Sequence, residues 1–329
     1  MKLHRLRLRP RSPWRTPWQA DTLTGALCTT AARIHGADFL RRRLIDPMLA
    51  GAPPFVLSDA FPGDLLPVPI AVRLAKPPPD ADRKAIKRGR WLAREDFLAL
   101  RATGSDGAIP WDRLPPDSAV FCGETTRHNT LARDSDASLE EGGLFSRADT
   151  LLRQHSEPNG DARLTLYFRA ADQAAADLLL ELLHELSLVG FGADVATGRG
   201  QFELLAEPQP ELELDRPPSD ANGLIVLSTF QPAPDDPTDG LWEAFPKFAK
   251  LGPDLALADV RKHTLILFRP GACFRTNPAT TFLGRALPMD LILPPASAAA
   301  LRTRGIEITH PAFGLAIPTR INLPVEGIP

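Results

Sequence analysis

From His4 to Arg9 the chain alternates, with Leu6 and Leu8 on one side and Arg5, Arg7 and Arg9 on the other. A period of two predicts a half-buried strand, here with a basic face. Pro10 ends it, and the turn Ser12-Pro13-Trp14-Arg15-Thr16-Pro17-Trp18 follows. Asp21 or Thr22 can cap a helix over residues 23–34, and a second, basic helix is expected over 37–44, ending near Asp46-Pro47. Short strands are expected at 55–57 and 65–74, with a Pro62-Gly63 turn between them.

Residues 76–117 read as the start of an insertion. They open Lys76-Pro77-Pro78-Pro79, pass through Arg83-Lys84-Ala85-Ile86-Lys87-Arg88-Gly89-Arg90 and include a helical piece near 91–101. A strand over 119–130, an acidic loop and a strand opening at Leu144-Phe145 complete a long hairpin, so the insertion runs over about 76–160. A clean strand at 163–169 comes next, then an apolar helix at 174–189, a glycine loop at 190–200 and a strand at 201–205. With the insertion set aside, the order is close to β-α-β-β-α-β. The expected fold class is therefore α+β, a ferredoxin-like unit of the kind RNA-recognition modules share. Pro208, Pro210, Pro217 and Pro218 mark a linker at 207–220 between an N-terminal domain, 1–206, and a C-terminal domain, 221–329. The latter offers strands at 224–230, 264–268 and 306–317 and reads as a second, degenerate ferredoxin-like unit.

The glycine loop holds Gly190, Gly192, Gly198 and Gly200, the last two flanking Arg199, with Phe191 between the first pair. Unhindered backbone N–H groups in such a loop can form a concave anion site. The order helix–loop–strand is the reverse of a dinucleotide-binding unit, and no Gly-Lys-Ser/Thr is present. A mononucleotide site is disfavoured, and a contact that tracks a polynucleotide backbone is attractive. A tight turn between helix and strand explains the same glycines.

Net charge is −2, which by itself argues against nucleic acid. By segment the picture changes. Residues 1–101 carry 19 Lys/Arg against 9 Asp/Glu, a net of +10, and residues 154–329 carry 14 against 22, a net of −8. Polyanion binding is expected on the N-terminal side. The acidic half, including Glu211, Glu213 and Asp215, is expected to lie away from RNA and to offer a basic partner a dock. Three cysteines, at 28, 122 and 273, are too few and too far apart for a disulfide framework or zinc site. No run approaches eighteen apolar residues and the N-terminus lacks an h-region, so a cytoplasmic protein without membrane contact is expected.

With these elements in place, the chain resembles a family. The opening strand with Ala20-Asp21-Thr22-Leu23-Thr24-Gly25-Ala26-Leu27-Cys28 looks like the start of the fourth Csm subunit, a RAMP component of type III-A CRISPR interference complexes. Arg127-His128-Asn129-Thr130-Leu131-Ala132-Arg133, then Gly142-Gly143-Leu144-Phe145-Ser146, is similar to the family's thumb region, and the loop at 190–200 matches its glycine-rich loop. The resemblance covers roughly residues 1–205. It implies a RAMP fold whose hairpin insertion is a thumb. It also implies a non-catalytic subunit that binds the repeat-derived 5′ tag of crRNA, caps the backbone filament beside a RAMP subunit, and docks the large Palm-domain signalling subunit. No cofactor or metal is implied. Trp14-Arg15-Thr16-Pro17-Trp18, where the family often has glycine, and Asp134-Ser135-Asp136 depart from the family pattern.

Single-stranded RNA needs cations for phosphates and flat faces for bases. Candidate contacts are Trp14, Arg15 and Trp18 in the first turn; Lys84, Lys87, Arg88 and Arg90 in the insertion; Arg127, His128, Asn129 and Arg133 on the thumb; and Gly190, Phe191, Gly192, Gly198, Arg199 and Gly200 in the loop. The two tryptophans could equally close the core, and the basic run could be a solvated face. The seven histidines have no triad-like or metal-binding spacing. A RAMP endoribonuclease processing precursor crRNA, with His128 or His35 as base, is the enzymatic alternative; a free-standing RNA-binding protein is a third.

Overall fold

The computed structural model describes residues 1–104, 109–131, 134–135, 137, 143–153, 162–251 and 261–322. Strand β1 (Leu3–Pro10) buries Leu6 and Leu8 on one face and leaves Arg5, Arg7 and Arg9 half-buried on the other, as its alternation predicts, while Leu3 at its start is buried as well. Each buried leucine contributes about 2 kcal/mol. β1 lies beside β8 (Leu164–Ala170), in register Leu6 to Leu166. β2 (Phe55–Leu57) and β3 (Phe61–Pro62) pair with the far edge of β8, while β9 (Phe202–Leu204) and β10 (Gln209–Pro210) pair with β1. All of these pairings are antiparallel. Helix α1 (Ala20–His35) follows β1, and the helix Gln173–Val189, which follows β8, is capped by Asp172, whose carboxylate accepts from Ala175 N at 2.8 Å. That helix buries Leu178, Leu179, Leu182, Leu183 and Leu186 along one stripe. The start of α1 departs from expectation. Asp21 is buried and ion-paired, and the carboxylate that receives Ala20 N, at 2.8 Å, is Asp59, reaching over from the β2–β3 connection.

Two other expectations change. Only Leu66–Pro67 of the 65–74 stretch is strand, β4, because Pro67 and Pro69 break the ladder and Ile70–Leu74 turns helical. The insertion is mostly packed: helix α2 (Arg83–Arg88), strand β5 (Trp91–Leu92, paired with β4) and helix α3 (Arg94–Thr103) lie against the body, with Phe97 and Leu100 in the core. Among the described residues, the projecting part is the hairpin of β6 (Phe121–Asn129) and β7 (Leu144–Leu152).

The segment 207–220, expected as a linker, is built into the N-terminal sheet. It supplies β10 and the turn of helix Leu212–Asp215, with Glu211 and Leu214 buried. Arg101, itself buried, donates to the carbonyls of Glu213, Leu214 and Arg216 and ties that turn down. The C-terminal sheet runs β12 (Gly240–Leu241), β15 (Cys273–Arg275), β11 (Gly223–Val226), β17 (Thr309–Thr319), β16 (Phe282–Pro288), all antiparallel. This departs from a second β-α-β-β-α-β unit. Among the described residues, β13 (Ala244–Lys247) and β14 (Leu265–Phe268) pair in a separate hairpin, with β14 at the strand expected over 264–268.

One core crosses both halves: Ile225, Leu227, Phe313, Leu315 and Ile317 join the N-terminal cluster. Asp59 is the polar pin of this junction, accepting from Thr229 N and Thr229 Oγ1, each at 2.7 Å, as well as from Ala20 N. Burial pushes its carboxyl up to about 6, with the nearby Asp21 charge adding to the rise and the hydrogen bonds from Thr229 and Ala20 opposing it only in part.

Candidate nucleic-acid interface

Three segments distant in sequence meet beside β1: the turn at 11–19, the glycine loop and the root of the β6–β7 hairpin. Backbone bonds align them. Gly200 N donates to Pro13 O at 2.9 Å, Arg11 N to Gln201 O at 2.7 Å, Trp14 N to Thr150 O at 3.0 Å, and Thr150 N to Trp14 O at 2.7 Å. Thr16 Oγ1 accepts from Ala193 N at 2.9 Å. Five charges lock the same place. Arg15 donates to Asp149 and to Asp194; Arg199 Nε reaches Asp149 at 2.9 Å, and Arg147 Nη1 reaches Asp194 at 2.9 Å. Asp149 is 2% exposed, and Arg15 and Arg199 outweigh the burial that opposes its ionisation, holding it below the usual carboxylate range. Three guanidiniums against two carboxylates leave the knot cationic, with Arg147 as its most exposed member.

The structure sorts the sequence candidates. Trp14 and Trp18 are buried. Trp18 stacks obliquely on Phe191 at 4.5 Å and edge-on to Phe202, and Trp14 meets Phe121 edge-on. Phe191 is therefore core rather than an exposed stacking platform. Arg15 is committed to its carboxylates, while Arg199 keeps partial exposure at the loop's rim.

The packing of the glycines fits the tight-turn reading. A Cβ on Gly200 would meet Phe191 O at 2.0 Å, and one on Gly192 would meet Thr16 Cβ at 2.5 Å; only at Gly198 is the space open. The N–H groups of Gly190, Phe191, Ala193, Thr197, Gly198, Arg199 and Gly200 all bond within the protein, so they form no open anion cradle. Chain-to-chain fit, at positive φ, is what requires glycine here.

On the hairpin, directly paired residues share a face. His128 lies across from Phe145 and Thr126 from Arg147, whereas Arg127 and Asn129 belong to the opposite face. His128 stacks on Phe145 at 5.3 Å, and the Arg147 guanidinium lies 5.0 Å from the same ring. This imidazole–phenyl–guanidinium strip, with the phenyl ring exposed and the other two groups half-buried, leads to the knot. Arg133 lies outside the described residues. Lys84, Lys87 and Arg88 are exposed on α2, apart from the knot, and Arg90 points elsewhere, into the cavity described below.

Sequence reasoning missed Arg147, Phe145, Asp149, Asp194 and Thr16. The spacing of Arg147 and Asp149 on a strand was a usable signal, since period two puts both on one face; their partners were not visible. The expected charge polarity is also largely spent inside. Arg5 pairs with Glu211, Arg7 with Asp64, Arg9 with Glu203, Arg94 with Glu211 and Glu213, and Arg169 with Asp215. Glu211 and Asp215 therefore serve the N-terminal half and offer no free acidic dock. Among the described residues there is no cluster of metal-binding side chains and no helix long and apolar enough to cross a membrane.

No protein-family model matches the chain, and no curated protein matches its sequence. Solved structures do match its fold. A chain of a Csm1–Csm4 cassette in complex with pppApA is 17% identical over 99% of this chain and 100% of its own, with a TM-score of 0.60. The same cassette with cA4 gives 17%, 99%, 100% and 0.59. A chain of the Csm3–Csm4 subcomplex of a type III-A CRISPR-Cas interference complex gives 11%, 97%, 100% and 0.61. Csm4 is the component these assemblies have in common, and over nearly its whole length this chain has the fold that recurs in them.

Proposed function

We propose that this chain is a crRNA-binding subunit of a type III-A CRISPR effector complex. On this reading it holds the repeat-derived 5′ tag, caps the backbone filament beside a RAMP subunit and docks the large Palm-domain subunit. The N-terminal strand order β9-β1-β8-β2 with its two crossover helices supports a ferredoxin-like RAMP unit whose thumb is the β6–β7 hairpin. The observation that carries the reading is the strip of His128, Phe145 and Arg147, its phenyl ring exposed and its imidazole and guanidinium half-buried, leading into the arginine knot beside the glycine loop. It offers alternate flat and cationic contacts, the chemistry a single strand needs.

We infer further that the chain performs no chemistry of its own. His128 is engaged by Phe145, and His35 pairs with Glu181 at 3.1 Å on the separate α1 surface, so the two candidate bases do not converge. Reconstitution with guide RNA and the large subunit tests both parts. Omitting this protein should leave the large subunit outside the complex and the 5′ end of the guide open to nuclease. A His128→Ala variant that assembles but no longer yields mature guide would make the chain an endoribonuclease instead.

A further inference from the structure

A cavity of about 380 Å3 opens on the far side of the hairpin root from the arginine knot. Asp149 and Thr150 are consecutive on β7, so they face opposite ways: Asp149 binds the knot, and Thr150 lines the cavity. Trp14, Trp91 and Phe121 form aromatic walls, with Trp91 and Phe121 6.1 Å apart at an angle of 67° and Trp14 nearly perpendicular to Phe121 at 6.2 Å. Two buried donors on lining residues, Trp18 Nε1 and Arg90 Nη1, have no hydrogen-bond partner among the described residues. At the mouth, Arg73 and Arg269 share the single carboxylate of Glu243, at 2.5 and 3.0 Å. Buried donors without acceptors cost free energy unless a ligand supplies the acceptors. A ligand suited to this site is flat, carries ring or exocyclic acceptors, and brings an anionic group to Arg90. A volume near the lower end of the range for small-molecule sites, roughly 300–1,000 Å3, suits one such unit and excludes a duplex.

We propose that the cavity takes one everted nucleotide of the bound single-stranded RNA, its base between the aromatic walls and its phosphate at Arg90. This rests on the RNA-binding reading above and adds a subsite to it. The strand would cross the hairpin root, leaving its neighbouring phosphates to Arg147 and Arg199 and turning one base inward.

The test uses the full chain and guide RNAs carrying 2-aminopurine at successive positions near the 5′ end. The expected result is strong quenching at a single position, relieved in Trp91→Leu, and about tenfold weaker binding in Arg90→Gln, within the roughly 1–3 kcal/mol that one stacked, contacted base supplies. Arg90→Gln should not lower the melting temperature, since it removes an unpartnered donor; Trp91→Phe, which keeps an aromatic wall, controls for a folding defect in Trp91→Leu. RNA that binds with no position-specific quenching, or with quenching indifferent to both variants, overturns the cavity proposal and leaves RNA binding intact. RNA that does not bind at all overturns both.

Discussion

The glycine-loop knot and helix α2 have similar basic composition in sequence and opposite construction in space. In the knot, Arg15, Arg147 and Arg199 are held by Asp149 and Asp194, and the backbone of each segment is bonded to another. On α2, Lys84, Lys87 and Arg88 stand exposed, and no carboxylate pairs with them among the described residues. The number of cations is thus a poor guide to what a region does. In the knot, charge builds a rigid platform and leaves a small cationic surplus; on α2 it remains available to any polyanion that reaches it.

The sharpest way to break this comparison is at the glycines. Gly200→Ala drives a Cβ into Phe191 O and holds alanine at a φ of +70°, so it should destabilise the fold by about 3–4 kcal/mol. Gly198→Ala sits in open space and meets only the left-handed backbone penalty, about 1 kcal/mol. Thermal or urea melts read both. Equal effects would mean the loop is not clamped against the first turn. A weaker RNA affinity in folded Gly198→Ala would instead place that glycine against the strand.

Next in size is Asp149. Asp149→Ala leaves Arg15 and Arg199 facing each other beside a buried position, with a cost on the order of 3 kcal/mol. The pH dependence follows from the same pairing. The carboxyl is held below its ordinary value of 3.8 in the fold, so its stabilising contribution is complete above that value and is lost as pH falls toward the folded value. Trp14, bonded to the hairpin root at Thr150, should report the loosening as a fluorescence change in strong acid that Asp149→Asn abolishes. An unchanged acid transition in that variant would assign it to other carboxylates.

The fold was legible where the pattern is local. β1, β2, β8, the helix Gln173–Val189 and the glycine loop lie close to their expected places, because alternation, an Asp cap and a terminal glycine are written within a few residues. The 65–74 stretch misled because its apolar content suits a strand while Pro67 and Pro69 forbid a continued ladder. The prolines at 207–220 misled in the opposite way: they suggested an open linker, yet Arg101 recruits the carbonyls of that turn from more than a hundred residues away. The site failed for the same reason. Nothing near Arg15 in sequence announces Asp149 or Asp194, so cations that looked free were already engaged.

The smallest effect on stability should come from α2, and it isolates the other side of the comparison. Replacing Lys84, Lys87 and Arg88 together with Gln removes three charges that touch no carboxylate among the described residues, so the melting free energy should move by less than about 0.5 kcal/mol. Asp82 keeps its cap on the helix, accepting from Lys84 N and Ala85 N at 2.9 and 3.1 Å, and those backbone donors survive the substitutions. RNA binding gives the discriminating readout. Each phosphate contact to single-stranded RNA contributes roughly −0.7 to the slope of log affinity against log salt. If the strand reaches α2, the slope should flatten by up to about 2, with the knot unchanged. If the slope stays where it was while Arg147→Gln lowers it, the RNA path is confined to the hairpin and the knot, and the basic run on α2 is a solvated face.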